Sequence, residues 1–131
     1  MSKTNSLKKL ITEKLKPICD RVYFNRAINS NLFPHIIFNM RSVNFEYSYR
    51  DDVILEIDVW NKPPDGDFTQ IEEMCDNIEK VFSDVNLPQK DILPTFYIDG
   101  RYAVEDEGKF IQHRVIRILI QNYEKGANKN G

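Results

Sequence analysis

The chain has 131 residues, of which 41% are hydrophobic and 29% are charged, and its formal net charge is −2 at pH 7. These values are typical of one globular domain with its own core, and they argue against a protein that binds nucleic acid through an excess of lysine and arginine. No apolar run approaches the roughly 20 residues of a membrane-spanning helix, so we expect no membrane partner. The N-terminal segment carries lysines without a following apolar stretch, which argues against a secretory signal.

The first predicted element is an amphipathic helix. Ser6 is a suitable N-cap, and Pro17 ends the helix near Lys16, because proline cannot donate the next backbone hydrogen bond. The apolar positions repeat at helical spacing and are Leu7, Leu10, Ile11 and Leu15.

Three strands are predicted to follow this helix. Arg21–Ala27 is short, His35–Tyr47 is long, and Asp52–Trp60 alternates strictly between apolar and polar residues. The apolar side of the second strand changes parity around Arg41, which predicts a bulge or bend there. A tight turn at Tyr49–Asp51 would join the second and third strands as an antiparallel hairpin.

A second amphipathic helix is predicted to begin near Asp67, after the break at Pro63–Gly66. Asp67 and Gln70 have the spacing of a capping box, in which both side chains bond orphaned backbone N–H groups. The apolar stripe of this helix consists of Phe68, Ile71, Cys75, Ile78, Val81 and Phe82.

The last third of the chain predicts two more strands. Ser83–Pro94 reads as an irregular connection, and Thr95–Val104 as a strand that Asp99-Gly100 interrupts with a turn or bulge. Phe110–Tyr123 is the last predicted strand. Its segment Val115–Ile120 is apolar on both faces apart from Arg117, which indicates either a central strand or a face buried against a neighbouring subunit. The order α-β-β-β-α-β-β predicts an α+β domain over residues 1–124: a two-layer fold whose mostly antiparallel sheet of about five strands carries two helices on one face. Residues 125–131 are predicted to be a disordered polar tail.

Residues that carry chemistry are few and scattered, so we expect no cofactor and no metal. Cys19 and Cys75 lie far apart in the sequence and are interpreted as buried, reduced thiols. His35 and His113 lie on separate strands and have no metal-ligand spacing, so a structural role is favoured over a ligand pair. Nucleophile elbows and glycine-rich phosphate loops are absent from the sequence.

One enzymatic alternative depends on carboxylates of the third strand. Glu56 and Asp58 share a strand face, and together with Asp51 they could hold Mg²⁺ for nuclease-like chemistry. A polar outer face whose charges discourage unwanted sheet pairing explains the same residues without catalysis and is favoured.

Aromatic and arginine residues favour a protein–protein interface, although core packing explains some of the aromatic residues equally well. Trp60 shares its strand face with Glu56 and Asp58 and is therefore expected to face solvent. Aromatic residues and arginine are enriched at interfaces, so we predict that the contact residues are Tyr49, Trp60, Arg114 and Arg117.

The ordered pattern resembles the tail-terminator, or tail-completion, proteins of long-tailed bacteriophages and prophages. That family begins with a helix, which is followed by a pair of strands with the patterns Val/Ile-Tyr and Pro-x-Ile-x-Phe/Tyr. A third strand ends in Asp-Val-aromatic. A second helix, an acidic turn and a last strand complete the pattern. The matching positions are Val22-Tyr23, Pro34, Ile36, Phe38, Asp58-Val59-Trp60 and Glu105–Ile120. The resemblance covers residues 7–123.

This resemblance implies a non-enzymatic virion protein that assembles in the host cytoplasm. Such proteins form a homo-oligomeric ring, a hexamer, at the head-proximal end of the tail tube, where they contact the tail tube protein and the head connector. DNA passes through the ring without specific binding, so lumen loops should be acidic or neutral. The candidate lumen or contact residues are Asp65, Asp67, Glu105, Asp106 and Glu107. The alternatives are the Mg²⁺-dependent enzyme and a cytosolic adaptor dimer.

Overall fold

The computed structural model describes residues 3–27, 31–44, 50–105 and 110–124. It is an α+β fold in which two helices pack on one face of a six-stranded sheet of order β1-β2-β3-β6-β5-β4. The elements are α1 Lys3–Leu15, β1 Val22–Phe24, β2 His35–Asn44, β3 Arg50–Asn61, α2 Thr69–Phe82, β4 Val85–Asn86, β5 Ile92–Val104 and β6 Gln112–Glu124. The predicted fold class and element order are confirmed, and the sheet has one short strand more than expected.

The sheet is antiparallel except at one edge. β2, β3, β6 and β5 pair antiparallel in that order, β4 pairs antiparallel with β5, and β1 pairs parallel with β2. β3 and β6 are therefore the two central strands, so the last strand has the central position that was one of the two predicted alternatives. The additional strand is β4, which pairs with β5 inside the segment predicted to be irregular.

The core lies between the sheet and both helices. Val53, Leu55, Ile57 and Val59 all point to this side, as the alternation of β3 predicts. The helices contribute Leu7, Leu10, Ile11, Leu15, Ile71, Met74, Cys75, Ile78 and Phe82. Burial of these side chains supplies most of the stabilisation, at roughly 1.5–3 kcal/mol for each large apolar side chain. One apolar face on each helix and strand therefore suffices to specify a layer of helices packed on a layer of sheet.

The start of α1 differs from the prediction. The helix begins at Lys3, so Ser6 lies within its first turns instead of capping it. Ser6 is buried, and its hydroxyl donates a hydrogen bond to the Asp91 carboxylate over 2.7 Å. A long-range partner therefore satisfies the hydroxyl that the sequence suggested as a local cap.

The first hairpin also differs from the prediction. Arg50 and Asp51 belong to β3, where they pair with Tyr123 and Asn122 of β6, so they do not form the predicted turn. The register of β2 shifts between Ser42 and Asn44, close to the bulge predicted around Arg41. β1 has only three residues, fewer than Arg21–Ala27. Residues 28–30 and 45–49, which include the end of the predicted second strand, lie outside the described residues.

The predicted cap of α2 is half correct. The Asp67 carboxylate accepts a hydrogen bond from the backbone N–H of Thr69 over 3.1 Å, although Phe68 occupies the N-cap position. Gln70 does not complete the box, because its side-chain oxygen accepts a hydrogen bond from Asn61. Phe68 is 51% exposed, so its assignment to the apolar stripe was wrong.

The last two strands have different ends from those predicted. β5 begins at Ile92, and its register shifts between Ile98 and Gly100, which confirms a bulge at Asp99-Gly100. β6 begins at Gln112, and Phe110 precedes it with a φ of 62° and 46% exposure. Residues 125–131, the predicted tail, lie outside the described ranges.

Both cysteines are buried free thiols, as predicted. Burial raises the pKa of the Cys75 thiol to about 11, which keeps it protonated and unreactive at neutral pH. Neither described helix is both long enough and apolar enough to cross a membrane.

Candidate interaction surface

The side of the sheet opposite the helices is a broad mixed surface, which we call the outer face. Strand alternation and register place on it residues from β2, β3, β5 and β6. Both described helices pack on the other side, so neither covers it. Its members include His35, Ile37, Asn39, Arg41, Ile54, Glu56, Asp58, Trp60, Tyr97, Tyr102, Val104, His113, Val115, Arg117 and Leu119.

Trp60 is the centre of an aromatic stack on the outer face. The ring of His113 lies 3.7 Å from the indole centroid at an interplanar angle of 13°, and the ring of His35 lies 6.0 Å away at 18°. The three residues are direct register partners on β2, β3 and β6, and so the pairing itself aligns the rings. Trp60 is half-buried, and its Nε1–H has no hydrogen-bond partner within the described parts of the chain. The predicted exposure of Trp60 is therefore only partial.

Both histidines of this stack are held by specific hydrogen bonds. Nε2 of His113 lies 2.6 Å from Oδ1 of Asp58, and Nδ1 of His35 lies 2.9 Å from the Leu32 carbonyl oxygen. Burial lowers the pKa of His35, and the Leu32 contact only partly offsets this effect. Trp60 separates the two imidazole rings, so they do not meet as a pair of metal ligands.

The carboxylates proposed for Mg²⁺ do not come together. Asp51 lies on the helix side of β3, where Nζ of Lys3 approaches its carboxylate to 2.9 Å, whereas Glu56 and Asp58 lie on the outer face. Over the described ranges, no group of three or more His, Cys, Asp or Glu residues could hold a metal ion. The alternation of β3 thus separates the third carboxylate from the other two.

A shallow groove runs across the outer face beside Glu56. Glu56 and Arg117 are register partners on β3 and β6, and Nε of Arg117 lies 3.9 Å from the Asp99 carboxylate. The groove is lined by Asn39, Met40, Arg41, Ile54, Glu56, Tyr102 and Arg117. The side chain of Arg117 is 39% exposed, so it is accessible to a partner.

Arg114, the other predicted contact arginine, points to the helix side. Its Nε donates a hydrogen bond to Glu72 of α2 over 2.7 Å, and its guanidinium lies 5.0 Å from the Phe68 ring centroid. These contacts give Arg114 a role in holding the start of α2.

Arg101 is an organising residue that the sequence interpretation missed. Its guanidinium contacts Glu72 at 2.6 Å, Asp76 at 2.7 Å and Glu79 at 2.8 Å, which form one acidic stripe along α2. Burial disfavours the ionised form of Glu72, but hydrogen bonds from Arg114 and Arg101 outweigh it and hold the pKa of this carboxyl below its ordinary value. The i, i+4, i+7 spacing of the three acids was the available signal.

Three of the predicted acidic residues, Asp65, Asp67 and Glu105, lie at the same end of the sheet. The Gln112 side chain donates hydrogen bonds to the carbonyl oxygens of Gly66 and Asp67, which ties the loop before α2 to the start of β6. Asp65, Asp67 and Glu105 are all exposed. Three other predicted site residues, Tyr49, Asp106 and Glu107, lie outside the described residues.

Comparison with known proteins shows the fold alone. No family model matches the chain, and no curated protein matches its sequence. Among solved structures, a chain of a structure described as "Virion of native gene transfer agent (GTA) particle" has a TM-score of 0.60 and 9% sequence identity. The match covers 84% of this chain and 84% of that chain, so the two folds correspond over most of their length.

Proposed function

We propose that this chain is a structural virion protein of a phage or prophage. The observation that carries the proposal is the fold shared over 84% of both chains with a component of a gene transfer agent virion. The sequence pattern supports it independently, because it resembles tail terminators from the first helix to the last strand. The separated carboxylates of β3 favour this role over the Mg²⁺-dependent enzyme.

Within the virion, we propose a homo-oligomeric ring at the head-proximal end of the tail tube, with six subunits as the resemblance implies. A ring needs two different complementary surfaces on each subunit, which is a heterologous interface that closes. Trp60 and Arg117 on the outer face, with Tyr49 and Arg114, are proposed contacts to a neighbouring copy, the tail tube protein or the head connector. The groove beside Arg117 supports the choice of this face.

The acidic loops are proposed to line or flank the DNA passage. Asp65, Asp67 and Glu105 are exposed at one end of the sheet, and Asp106 and Glu107 follow directly in the sequence. Carboxylates repel the phosphate backbone, whereas lysine and arginine would release counterions and bind it. DNA would therefore pass without specific binding, and the protein would be located in the virion tail.

The test is the solution mass by light scattering after gel filtration over a range of protein concentrations. A ring of six would have six times the 15.5 kDa mass of one chain. A monomer should instead assemble on purified tail tubes that lack a terminator, as seen by electron microscopy. A stable dimer, or a monomer that does not bind tail tubes, would contradict the proposal, and the dimer would favour the adaptor alternative.

Trp60→Ala gives the residue-level form of this test. We expect weaker assembly with cooperative monomer folding retained, and Glu73→Ala on the exposed side of α2 is the matched control. Loss of cooperative folding in Trp60→Ala would instead identify the aromatic stack as part of the folding core.

A further inference from the structure

Each edge of the sheet is covered by a neighbouring strand along only part of its length. β1 pairs with β2 at Ile36–Phe38, and β4 pairs with β5 at Thr95–Phe96. Backbone hydrogen bonds from Leu87 to Pro94 and from Gln89 to Ile92 extend the cover of β5 towards its start. Residues 39–44 of β2 and 97–104 of β5 therefore lack a strand partner on their outer edge among the described residues.

The free parts of the two edges are offset along the strands, and they are level with each other only at residues 39–41 of β2 and 97–100 of β5. Register places His35, Trp60, His113 and Val104 in one row across the sheet, so the rest of the free part of β5 is level with the covered part of β2. A second copy displaced by four residues along the strands, about 13 Å, brings the free part of its β2 beside the free part of β5. Its β1 then lies beyond the end of β5, so the short edge strands do not obstruct the contact.

The strand directions also suit this contact. β2 and β6 are both antiparallel to β3, and β5 is antiparallel to β6. The β2 strand of a second copy in the same orientation would therefore run antiparallel to β5 and continue the pattern of the sheet. Both outer faces would lie on the same side, and both helix layers on the other.

Two bulges restrict the register of such a pairing. The register shifts between Ser42 and Asn44 and between Ile98 and Gly100 leave Asn39–Ser42 and Gly100–Val104 as the uninterrupted free stretches. Bulges and charges on edge strands normally limit indiscriminate pairing. Here the two bulges leave one antiparallel register in which all four residues of the β2 stretch pair with β5. In this register the outer-face residues of one copy lie opposite outer-face residues of the other, and neither a bulge nor a residue already paired with β1 or β4 is included.

We propose that Asn39–Ser42 of one copy pairs antiparallel with Arg101–Val104 of the next copy. This register places Arg41 opposite Tyr102 on the outer face, and Met40 opposite Ala103 on the helix side. Arg41 is exposed and Tyr102 is 46% exposed, so a guanidinium–aromatic contact can form between copies.

This β2–β5 contact between copies, which we call the joint, would be the subunit interface of the proposed ring. It rests on the proposed function only for its place in the virion. Because it joins two different edges, it is heterologous and repeats from copy to copy until it closes. A strand pairing of only four residue pairs is short. The assembly therefore also gains stability from closure of the ring and from contacts between the side chains beside the paired strands.

The test is disulfide formation in the double variant R41C/Y102C. Residues directly opposite on antiparallel strands have the Cα separation that a disulfide needs. Within one chain the same two positions lie three strand spacings apart, more than about 14 Å, so they cannot bridge internally. Mild oxidation followed by non-reducing gel electrophoresis should give a ladder that extends beyond dimers to the ring number.

R41C/A103C is the matched control, because Ala103 lies on the helix side of the sheet and its thiol cannot reach the outer face. The buried Cys19 and Cys75 are present in both variants. If R41C/Y102C unfolds, M40C/A103C reports the same register from the helix side. In a chain that is oligomeric in solution, or that has been assembled on tail tubes, the absence of a series of cross-linked bands above the control, or a product that stops at dimers, would overturn the proposed joint.

The solution mass of the unmodified chain separates this inference from the proposed function. A ring-sized mass without a cysteine ladder would contradict the joint and leave the virion role intact. A ladder in a chain that never binds tail tubes would support the joint and contradict the virion role.

Discussion

Gly66 lies in the loop between β3 and α2 with a φ of 73°, in the left-handed region that favours glycine. A Cβ at this position would lie 2.8 Å from Cδ1 of Phe110, closer than real side chains allow. We expect Gly66→Ala to lower the free energy of unfolding by about 1–3 kcal/mol, because alanine is strained there and must displace the Phe110 ring. Urea unfolding of the monomer measures this loss.

Gly100→Ala is the matched control for Gly66. It lies in the bulge of β5, and a Cβ there would meet nothing within 4 Å. We expect a change within about 0.5 kcal/mol, as for other substitutions that meet no strain. Equal losses in the two variants would show that Phe110 and the backbone at Gly66 adapt without strain.

The aromatic stack shows how far residue-level patterns reach. Alternation along β3 correctly placed Trp60 on the face away from the helices. The sequence did not predict that His35 and His113 would lie on either side of Trp60. Their positions depend on the registers in which β2 and β6 pair with β3, and these registers join residues that are far apart in the sequence. The alternation of a strand predicts which face of the sheet a residue lies on, but its neighbours on that face are set by the strand pairing.

At the scale of elements, Arg101 of β5 is the main polar link between the sheet and α2. Its side chain is 21% exposed and contacts the carboxylates of Glu72, Asp76 and Glu79. We expect Arg101→Met to lower the free energy of unfolding by about 1–2 kcal/mol, because the alkyl length is kept while charged hydrogen bonds are lost in a partly solvated site. The loss should shrink at high salt, which screens the pairs.

Arg117→Met is the matched control, measured by urea unfolding at low and high salt. Arg117 lies 3.9 Å from Asp99 and is 39% exposed. An exposed pair at this distance should contribute less than about 0.5 kcal/mol. If Arg101→Met costs no more than Arg117→Met, the acidic stripe of α2 is not anchored by Arg101.

Elements with strong periodicity were predictable, and those set by long-range pairing were not. The alternation of β3 and the stripe of α2 located both elements, apart from their ends. β4 has two residues and exists only because it pairs with β5, so it has no periodicity to recognise. The start of α1 was misplaced because Ser6, a good cap in isolation, bonds Asp91 instead.

At the scale of the whole molecule, acid should destabilise the fold in two steps. Burial lowers the pKa of His35 from its ordinary value of 6.5. The unfolded chain therefore takes up this proton first, and stability falls as the pH drops through 6.5 towards the lower pKa of the folded state. Glu72 acts at lower pH. Burial raises the pKa of its carboxyl, but Arg114 and Arg101 lower it by more, so the pKa in the folded state lies below the ordinary value of 4.5. Its stabilisation is present above pH 4.5 and is lost as the pH falls through the folded-state pKa.

Unfolding free energies between pH 7.5 and pH 3 should therefore decline towards acid, with a slope of at most about 1.4 kcal/mol per pH unit for each group. His35→Gln should remove the upper part of this decline, and Glu72→Gln should remove part of the lower. His113 and its partner Asp58 are present in every protein compared, so the difference between wild type and His35→Gln reports His35 together with its electrostatic interaction with His113. Identical pH dependence of these two proteins would mean that His35 can accept a proton inside the stack, and that the face beside Trp60 is open enough to hydrate it.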